Sequence, residues 1–290
     1  FDKKGIAYKN YAEPLGVDYK ELLMPLDQDG LPALEKQALH IWPRGSHMLM
    51  ALPNLDGSFT MTVYLPTEGE VSFSKIKTKD DVLKFAEKYY TSAVPRMPRL
   101  PEEWLENPVG ALATVRCNNW VYKNKVALIG DAAHGIVPFF GQGMNCGFED
   151  CATIDELYDE FNGDFEKIFA RYNEMQVANG WAIADMAIEN YTEMADKVGD
   201  DRFLLRKAVE HELENQFPNK YRARYGMVTY TLIPYALVQK AGLVQDKILT
   251  QLMDGMNRID DLDLKKAEQL IDDQFVPFLK EHNISIERFK

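Results

Sequence analysis

The chain has 290 residues, 46% of them apolar, and a formal net charge of −12. That is apolar material enough for one or two sizeable cores, which excludes disorder on composition, and so acidic a surface suits neither nucleic acid nor an anionic membrane. The most apolar late stretch, residues 230–242, is interrupted by Pro234, Gln239 and Lys240, well short of the roughly 20 apolar residues of a spanning helix. No membrane anchor is expected. Nor does the N-terminus carry the basic and apolar regions of a secretory signal. Cys117, Cys146 and Cys151 have no paired spacing and read as reduced thiols of a cytoplasmic protein. His40, His47, His134, His211 and His282 are scattered, so no metal site is expected.

In chain order, residues 1–16 are polar and weakly patterned, a lead-in to a strand over 19–26, and Asp27 to Gly30 with Pro32 makes a turn. Residues 38–43, 48–52 and 58–65 read as three consecutive strands. Their links, Arg44-Gly45-Ser46 and Asn54-Leu55-Asp56-Gly57, carry hairpin chemistry, so the sheet is antiparallel. Alternation puts Met48, Met50 and Leu52 on one face of their strand, a row that spacing alone reads as core packing. A helix is expected over 80–90 through Val82, Leu83, Phe85 and Ala86. Pro95, Pro98 and Pro101 then forbid a long regular element. Residues 110–117 form another strand of the same sheet, and Trp120 and Tyr122 lead back toward a second region.

Val126 to Ile129 has the composition of a short buried strand, ended by Gly130-Asp131. From Pro138 the run PFFGQGMN places a rigid turn, two aromatic rings and two glycines ahead of a helix. Its apolar stripe is Met144, Phe148, Cys151, Ile154, Leu157 and Phe161, and Asn162-Gly163 stops it. Glycines let a flat ligand approach the backbone, and the unpaired N–H groups of the helix start favour partial negative charge there. A glycine-rich turn that merely packs a helix on a sheet would look the same. A long helix follows, capped by Asp164 and running to Val198 before Gly199-Asp200. Asn190, Glu193 and Met194 share one face of it, able to meet an amino-acid head group or simply to face solvent. Residues 201–217 are helical up to Pro218. Arg222 and Arg224 read as surface charges in a polar turn, although either could pair with a carboxylate. Residues 262–278 are amphipathic and are expected to pack on the helical region or to mediate association into a homodimer.

Leu128-Ile129-Gly130-Asp131-Ala132-Ala133-His134, then Pro138 and Gly141-Gln142-Gly143-Met144-Asn145, resembles the second flavin-binding motif of the single-component FAD aromatic hydroxylases, the p-hydroxybenzoate hydroxylase-like group. The longer string IVPFFGQGMNCGFEDC, with HIWPRG at 40–45 and ALPN at 51–54, resembles those members that hydroxylate L-kynurenine, and the similarity runs from about residue 17 to 235. The resemblance implies an α/β fold, α+β in the part present here. Residues 1–122 would be mainly the antiparallel substrate-domain sheet, 123–163 the C-terminal part of a Rossmann-like FAD domain, and 164–290 a helical domain completing the substrate site. It implies that Gly130, Asp131, Pro138, Gly141, Gln142, Gly143, Met144 and Asn145 bind FAD, with Asp131 on the ribityl chain and the helix start on the pyrimidine edge. Substrate would meet Leu39, Met48, Met50, Leu52 and Tyr64, then Pro138, Phe139 and Phe140, and finally Asn190, Glu193 and Met194 of the intact N-Y-x-E-M string together with Tyr225.

The implied chemistry has NADPH reduce FAD, O2 add to the flavin, and one oxygen atom pass to the aniline ring of L-kynurenine. No side chain is assigned a catalytic role, because positioning and exclusion of water would be the protein's part. The G-x-G-x-x-G unit that grips the FAD pyrophosphate is missing from these residues, since Gly141-Gln142-Gly143 reaches its next glycine at Gly147 with the wrong spacing. The chain therefore reads as the C-terminal portion of a longer polypeptide, expected to bind FAD poorly and to be inactive alone. The group's carboxylate-binding arginine and its partner tyrosine belong to the segment not present. Two alternatives stand beside this reading: a related FAD hydroxylase of another aromatic acid, and a non-catalytic fragment acting as a binding module.

Overall fold

The computed structural model describes residues 10–196 and 200–286. The chain divides into two compact units, one comprising Glu13–Ala113 with Tyr191–Val198, the other Phe1–Ala12, Thr114–Asn190 and Gly199–Lys290. The first is built on a sheet and the second on helices.

The sheet comprises β1 (Asn10–Met24), β2 (His40–Pro43), β3 (Met48–Pro53), β4 (Phe59–Pro66) and, after the helices α1 (Lys79–Tyr89) and α2 (Leu100–Glu106), β5 (Gly110–Cys117). Its strand order is β2-β3-β4-β1-β5, and β1 pairs antiparallel with β4 from Val17↔Pro66 to Met24↔Phe59. The three expected hairpin strands and the 80–90 helix stand within a residue or two of their predicted bounds. β1 begins at Asn10, earlier than its pattern indicates, and only its second part, Val17 to Met24, pairs with β4. The β3–β4 link is fixed by Asp56, whose Oδ1 accepts from the Ser58 N–H at 2.9 Å and the Ser58 hydroxyl at 2.6 Å.

Register decides the two faces. Leu49 and Ala51 of β3, with Met61 and Val63 of β4, join Val82, Phe85 and Trp104 of the two helices in one buried core, each large side chain contributing about 2 kcal/mol or more. α1 starts on a capping box between Thr78 and Asp81, satisfying donors that the first turn leaves unpaired. Met48, opposite Tyr64, and Met50, opposite Thr62, lie on the other face. The methionine row is thus buried without belonging to the core that the helices cover.

In the helical unit a small hairpin joins β6 (Val121–Tyr122) to β7 (Val126–Ala127), and it leads through α3 (Asp131–His134) to α4 (Gly143–Glu160) and α5 (Phe165–Ala195). Then come α6 (Asp201–Gln216), α7 (Arg224–Tyr230), α8 (Tyr235–Leu252) and α9 (Leu264–Leu270), with a π-helical turn, Ile271–Phe275, running into α10 (Val276–Glu281). α5 is the spine. Its Gly180 sits so close to Trp120 that a Cβ there would lie 2.8 Å from the indole ring and 3.1 Å from His134 Cβ. The expected end of that helix at Val198 and its Gly199 stop lie outside the described residues. α6 starts where expected, on Asp200, whose side chain accepts from the Phe203 N–H. The amphipathic C-terminal stretch buries Ala267, Ile271 and Phe275, with α9 and the π turn packed on α8. No helix among the described residues is long and apolar enough to cross a membrane.

Two expectations fail here. The buried strand over 126–129 is only a two-residue edge, with Val126 and Ile129 exposed, because Val121 and Tyr122 are its sole ladder neighbours among the described residues. The apolar stripe of α4 also fails in its first half, although Ile154, Leu157 and Phe161 do pack into the core as expected. Met144, Phe148 and Cys151 face outward, and the buried face is Cys146, Asp150, Thr153 and Leu157. Hydrogen bonding explains the inversion. Asp150 bonds His134 and the Gly130 N–H, and Thr153 accepts from Gln176 of α5 at 2.8 Å, so the polar face is the satisfied one.

Candidate functional site

β7 runs out into Gly130, held at φ +57°, and the chain turns at once into α3 with Asp131 as its first residue. Val137 precedes a tight 3₁₀ turn, Pro138–Phe140, and Gly141 at φ +67° reverses the backbone into α4. Both glycines stand in the left-handed region that side chains disfavour. A Cβ built on either meets nothing within 4 Å. At Gly147, by contrast, it would touch the Gly130 Cα at 3.6 Å, so the first turns of α4 lie on the Gly130-Asp131 turn.

The result is an open recess of about 510 Å³ lined by Gly130, Asp131, Pro138, Gly141, Gly143 and Met144, with Ile136 and Gly147. Six of the eight residues predicted to bind cofactor line it. Asp131 is exposed and makes no ion pair among the described residues. The start of α4, an 18-residue helix, turns its unpaired N–H groups and positive dipole end this way. Gln142 and Asn145 are the exceptions. The Gln142 Oε1 accepts from the Asn145 amide at 3.0 Å and from the Tyr235 hydroxyl at 3.0 Å, which ties the helix start to α8. Below them burial lifts the Cys146 thiol to about 12.

Asp150 is the residue that sequence reasoning missed. Only 2% exposed, it accepts through one oxygen from the Gly130 N–H at 2.8 Å and lies 2.7 Å from His134 Nε2. It fixes the backbone on which Asp131 is mounted. Its only signal in the sequence is the spacing Cys146, Asp150, Thr153, Leu157, a helical face that an apolar search discards.

Of the predicted substrate residues, four meet in the helical unit. The Asn190 amide donates to the Phe139 carbonyl at 2.6 Å, and the Phe140 ring stacks on Tyr225 with centroids 5.5 Å apart and planes at 22°. Pro138 lies on the recess side of the same turn. In the sheet unit Met48, Met50 and Tyr64 are buried on the face away from α1 and α2, and Leu39 and Leu52 are about half exposed. Burial raises the Tyr64 hydroxyl to about 12. Glu193 and Met194 belong to the Tyr191–Val198 segment of that unit. Arg222 is not the surface charge expected of it: 7% exposed, it is buried between α6 and α7, and Arg224 pairs with Glu189 at 2.8 Å.

The residues present suit a flavin edge. A glycine-lined, open floor admits a flat ring system to van der Waals contact with backbone, a helix N-terminus faces partial negative charge, and an unpaired carboxylate can accept from hydroxyl groups.

The FAD binding domain family matches residues 84–187. Kynurenine 3-monooxygenase of Myxococcus xanthus is 45% identical over 275 residues, 95% of this chain and 59% of that protein. The enzyme of the same name from Dictyostelium discoideum is 44% identical over 267 residues, 87% of this chain and 58% of its own length. The chain thus spans rather more than half the length of these curated relatives. Among solved structures, Klebsiella pneumoniae HpxO complexed with FAD and uric acid superposes with a TM-score of 0.50 at 17% identity, over 71% of this chain and 51% of that one. A variant of the oxygenase MHPCO gives 0.51 at 14%, over 81% and 55%. Those two likenesses concern the fold, and the sequence relatives concern descent: the chain belongs to the FAD-dependent aromatic hydroxylase family, among relatives that are kynurenine 3-monooxygenases.

Proposed function

We propose that this chain supplies the flavin-edge and substrate-side parts of a monooxygenase that converts L-kynurenine to 3-hydroxykynurenine with NADPH and O2. The observation that carries it is the recess at Gly130, Asp131, Gly141, Gly143 and Met144, one turn of chain away from the Phe139–Asn190 and Phe140–Tyr225 contacts. Bound FAD would supply the redox chemistry, by which a hydride equivalent from NADPH and O2 give one oxygen atom to the ring and the other to water.

Everything else is positioning. Asp131 accepts from the ribityl hydroxyls, and the N–H groups at the start of α4 polarise the pyrimidine edge. Pro138, Phe139 and Phe140 form an apolar stop for the substrate ring and keep water from it. Their turn is rigid because Asn190 grips the Phe139 carbonyl and Tyr225 stacks on Phe140. Tyr225 and Asn190 are assigned to the amino-acid end of the substrate, with Glu193 and Met194. In the sheet unit Leu39, Met48, Met50, Leu52 and Tyr64 are assigned as an apolar wall, and the methionines give it adaptability. The three free thiols suit a reducing compartment, and we assign the protein to the cytoplasm.

The test is direct. A polypeptide carrying this chain together with a nucleotide-binding unit should purify with flavin, and L-kynurenine should accelerate its NADPH oxidation while 3-hydroxykynurenine accumulates. Flavin-loaded protein whose NADPH oxidation is indifferent to L-kynurenine refutes the substrate assignment.

A further inference from the structure

A second cavity lies between α6 and α7, shares no lining residue with the glycine recess, and holds about 650 Å³. Lys207, Glu210, His211, Glu214, Arg222 and Tyr225 line it, with Tyr230 at its rim. Arg222 is more than nine-tenths buried, its Nη1 has no hydrogen-bond partner, and its guanidinium forms no ion pair among the described residues. The neighbouring carboxylates are engaged elsewhere. Glu210 pairs with Lys207 at 3.1 Å and Arg206 at 3.6 Å, and Glu214 accepts from the Ala223 N–H at 2.8 Å.

A buried guanidinium without a counter-charge is costly, by several kcal/mol even after relaxation. The fork is planar, always charged, and matched to a carboxylate. Two tyrosine rings, Tyr225 and Tyr230, are exposed on the same cavity, which gives a bound acid a flat apolar surface. Gly226 keeps the floor clear, since a Cβ there would lie 3.3 Å from both Arg222 Cγ and Glu214 Oε1. We propose that this cavity is a binding site for an aromatic carboxylic acid, its carboxylate held by Arg222 and its ring laid against Tyr225 and Tyr230. The site goes beyond the monooxygenase reading. It touches the flavin side through Tyr225 alone, whose ring also stacks on Phe140.

Benzoate is the probe, and His211 is the reporter because it lines the cavity and is exposed. In flavin-loaded polypeptide with ring-labelled histidine, benzoate should shift the His211 resonance saturably, the signal being assigned by its loss in His211→Gln. Arg222→Met should abolish that shift and, without benzoate, should melt at or above the wild-type temperature, since a guanidinium lacking a protein partner adds nothing to the fold. A shift that persists in Arg222→Met, the absence of any shift in the wild type, or a marked fall in melting temperature on substitution would each overturn the site. None of these readings needs turnover, so failure of the site, which shares only Tyr225 with the kynurenine reading, is distinguishable from failure of the kynurenine reaction.

Discussion

Asp150, halfway along α4, holds the backbone N–H of Gly130 on its carboxylate at 2.8 Å, twenty residues away in sequence. The same oxygen lies 2.7 Å from His134 Nε2, and both side chains are almost completely enclosed. Removing the carboxylate leaves the enclosed His134 and the half-buried Gly130 N–H without their acceptor, each worth about 1–3 kcal/mol. Asp150→Ala should therefore lower stability by about 3 kcal/mol in urea unfolding, and flavin retention should fall with it, because the turn that presents Asp131 loses its anchor. Asp150→Asn keeps an oxygen for Gly130 and should recover part of both. Full flavin retention in Asp150→Ala would show that the Gly130 turn needs no such anchor.

Asp131 should behave in the opposite way. It is exposed and unpaired, so Asp131→Ala should change unfolding free energy by no more than about 0.5 kcal/mol. A carboxylate that accepts from ligand hydroxyls is worth about 1.5–3 kcal/mol, so flavin affinity should drop by roughly ten- to a hundredfold. The measurement, here and for Asp150, is made on the polypeptide that also carries a nucleotide-binding unit: the flavin-to-protein absorbance ratio after dialysis, beside a melting curve of the same sample. Equal losses of affinity and stability would count against the ribityl role.

The contrast between those two aspartates marks what a sequence discloses. Asp131 stands in a recognisable string at the end of an apolar run, and the hairpin strands announce themselves by alternation and by the Asn54 to Gly57 turn. Asp150 announces nothing. Its role exists only because Gly147 lets α4 settle on Gly130, a tertiary approach that no local pattern encodes. The first half of the apolar stripe chosen for α4 fails for the same reason: Met144 and Phe148 obey helical spacing, yet satisfied hydrogen bonds outweigh their burial, while Ile154, Leu157 and Phe161 pack as expected. Arg222 is the third instance. A polar turn in sequence becomes a buried guanidinium once α6 and α7 close around it.

The cysteines offer a chemical test of the same α4 geometry. Cys151 is exposed, whereas Cys117 and Cys146 are buried, and burial pushes the Cys146 thiol up to about 12. At pH near 8 its thiolate fraction is on the order of 10⁻⁴, and the thiolate is the reactive form. Brief iodoacetamide treatment of folded protein should modify Cys151 and spare the other two, while denaturant should open all three, as read by peptide mass spectrometry. Had the apolar stripe of α4 faced inward as its spacing suggests, Cys151 would be the protected residue and Cys146 the labelled one.

His47, beside the β2–β3 turn, predicts how the sheet unit responds to acid. Its Nδ1 lies 2.7 Å from the Tyr90 hydroxyl, the Tyr89 ring meets it edge-on at 4.7 Å, and only 2% of it is exposed. Burial first, and then the Arg44 charge, pull its pKa down from 6.5 to about 4. In the window between those values the unfolded chain binds a proton that the folded chain refuses, so stability falls as pH drops from about 6.5 and levels off below about 4. At pH 5 the penalty is about 2 kcal/mol, on 1.36 kcal/mol per pK unit over roughly 1.5 units. Carboxylates also begin to titrate there, so the informative quantity is a difference: urea midpoints of wild type and His47→Gln at pH 7 and pH 5. The wild type should lose about 2 kcal/mol more than the variant across that interval. Parallel losses would mean that His47 takes up its proton without cost, and that the aromatic wall around it opens in acid.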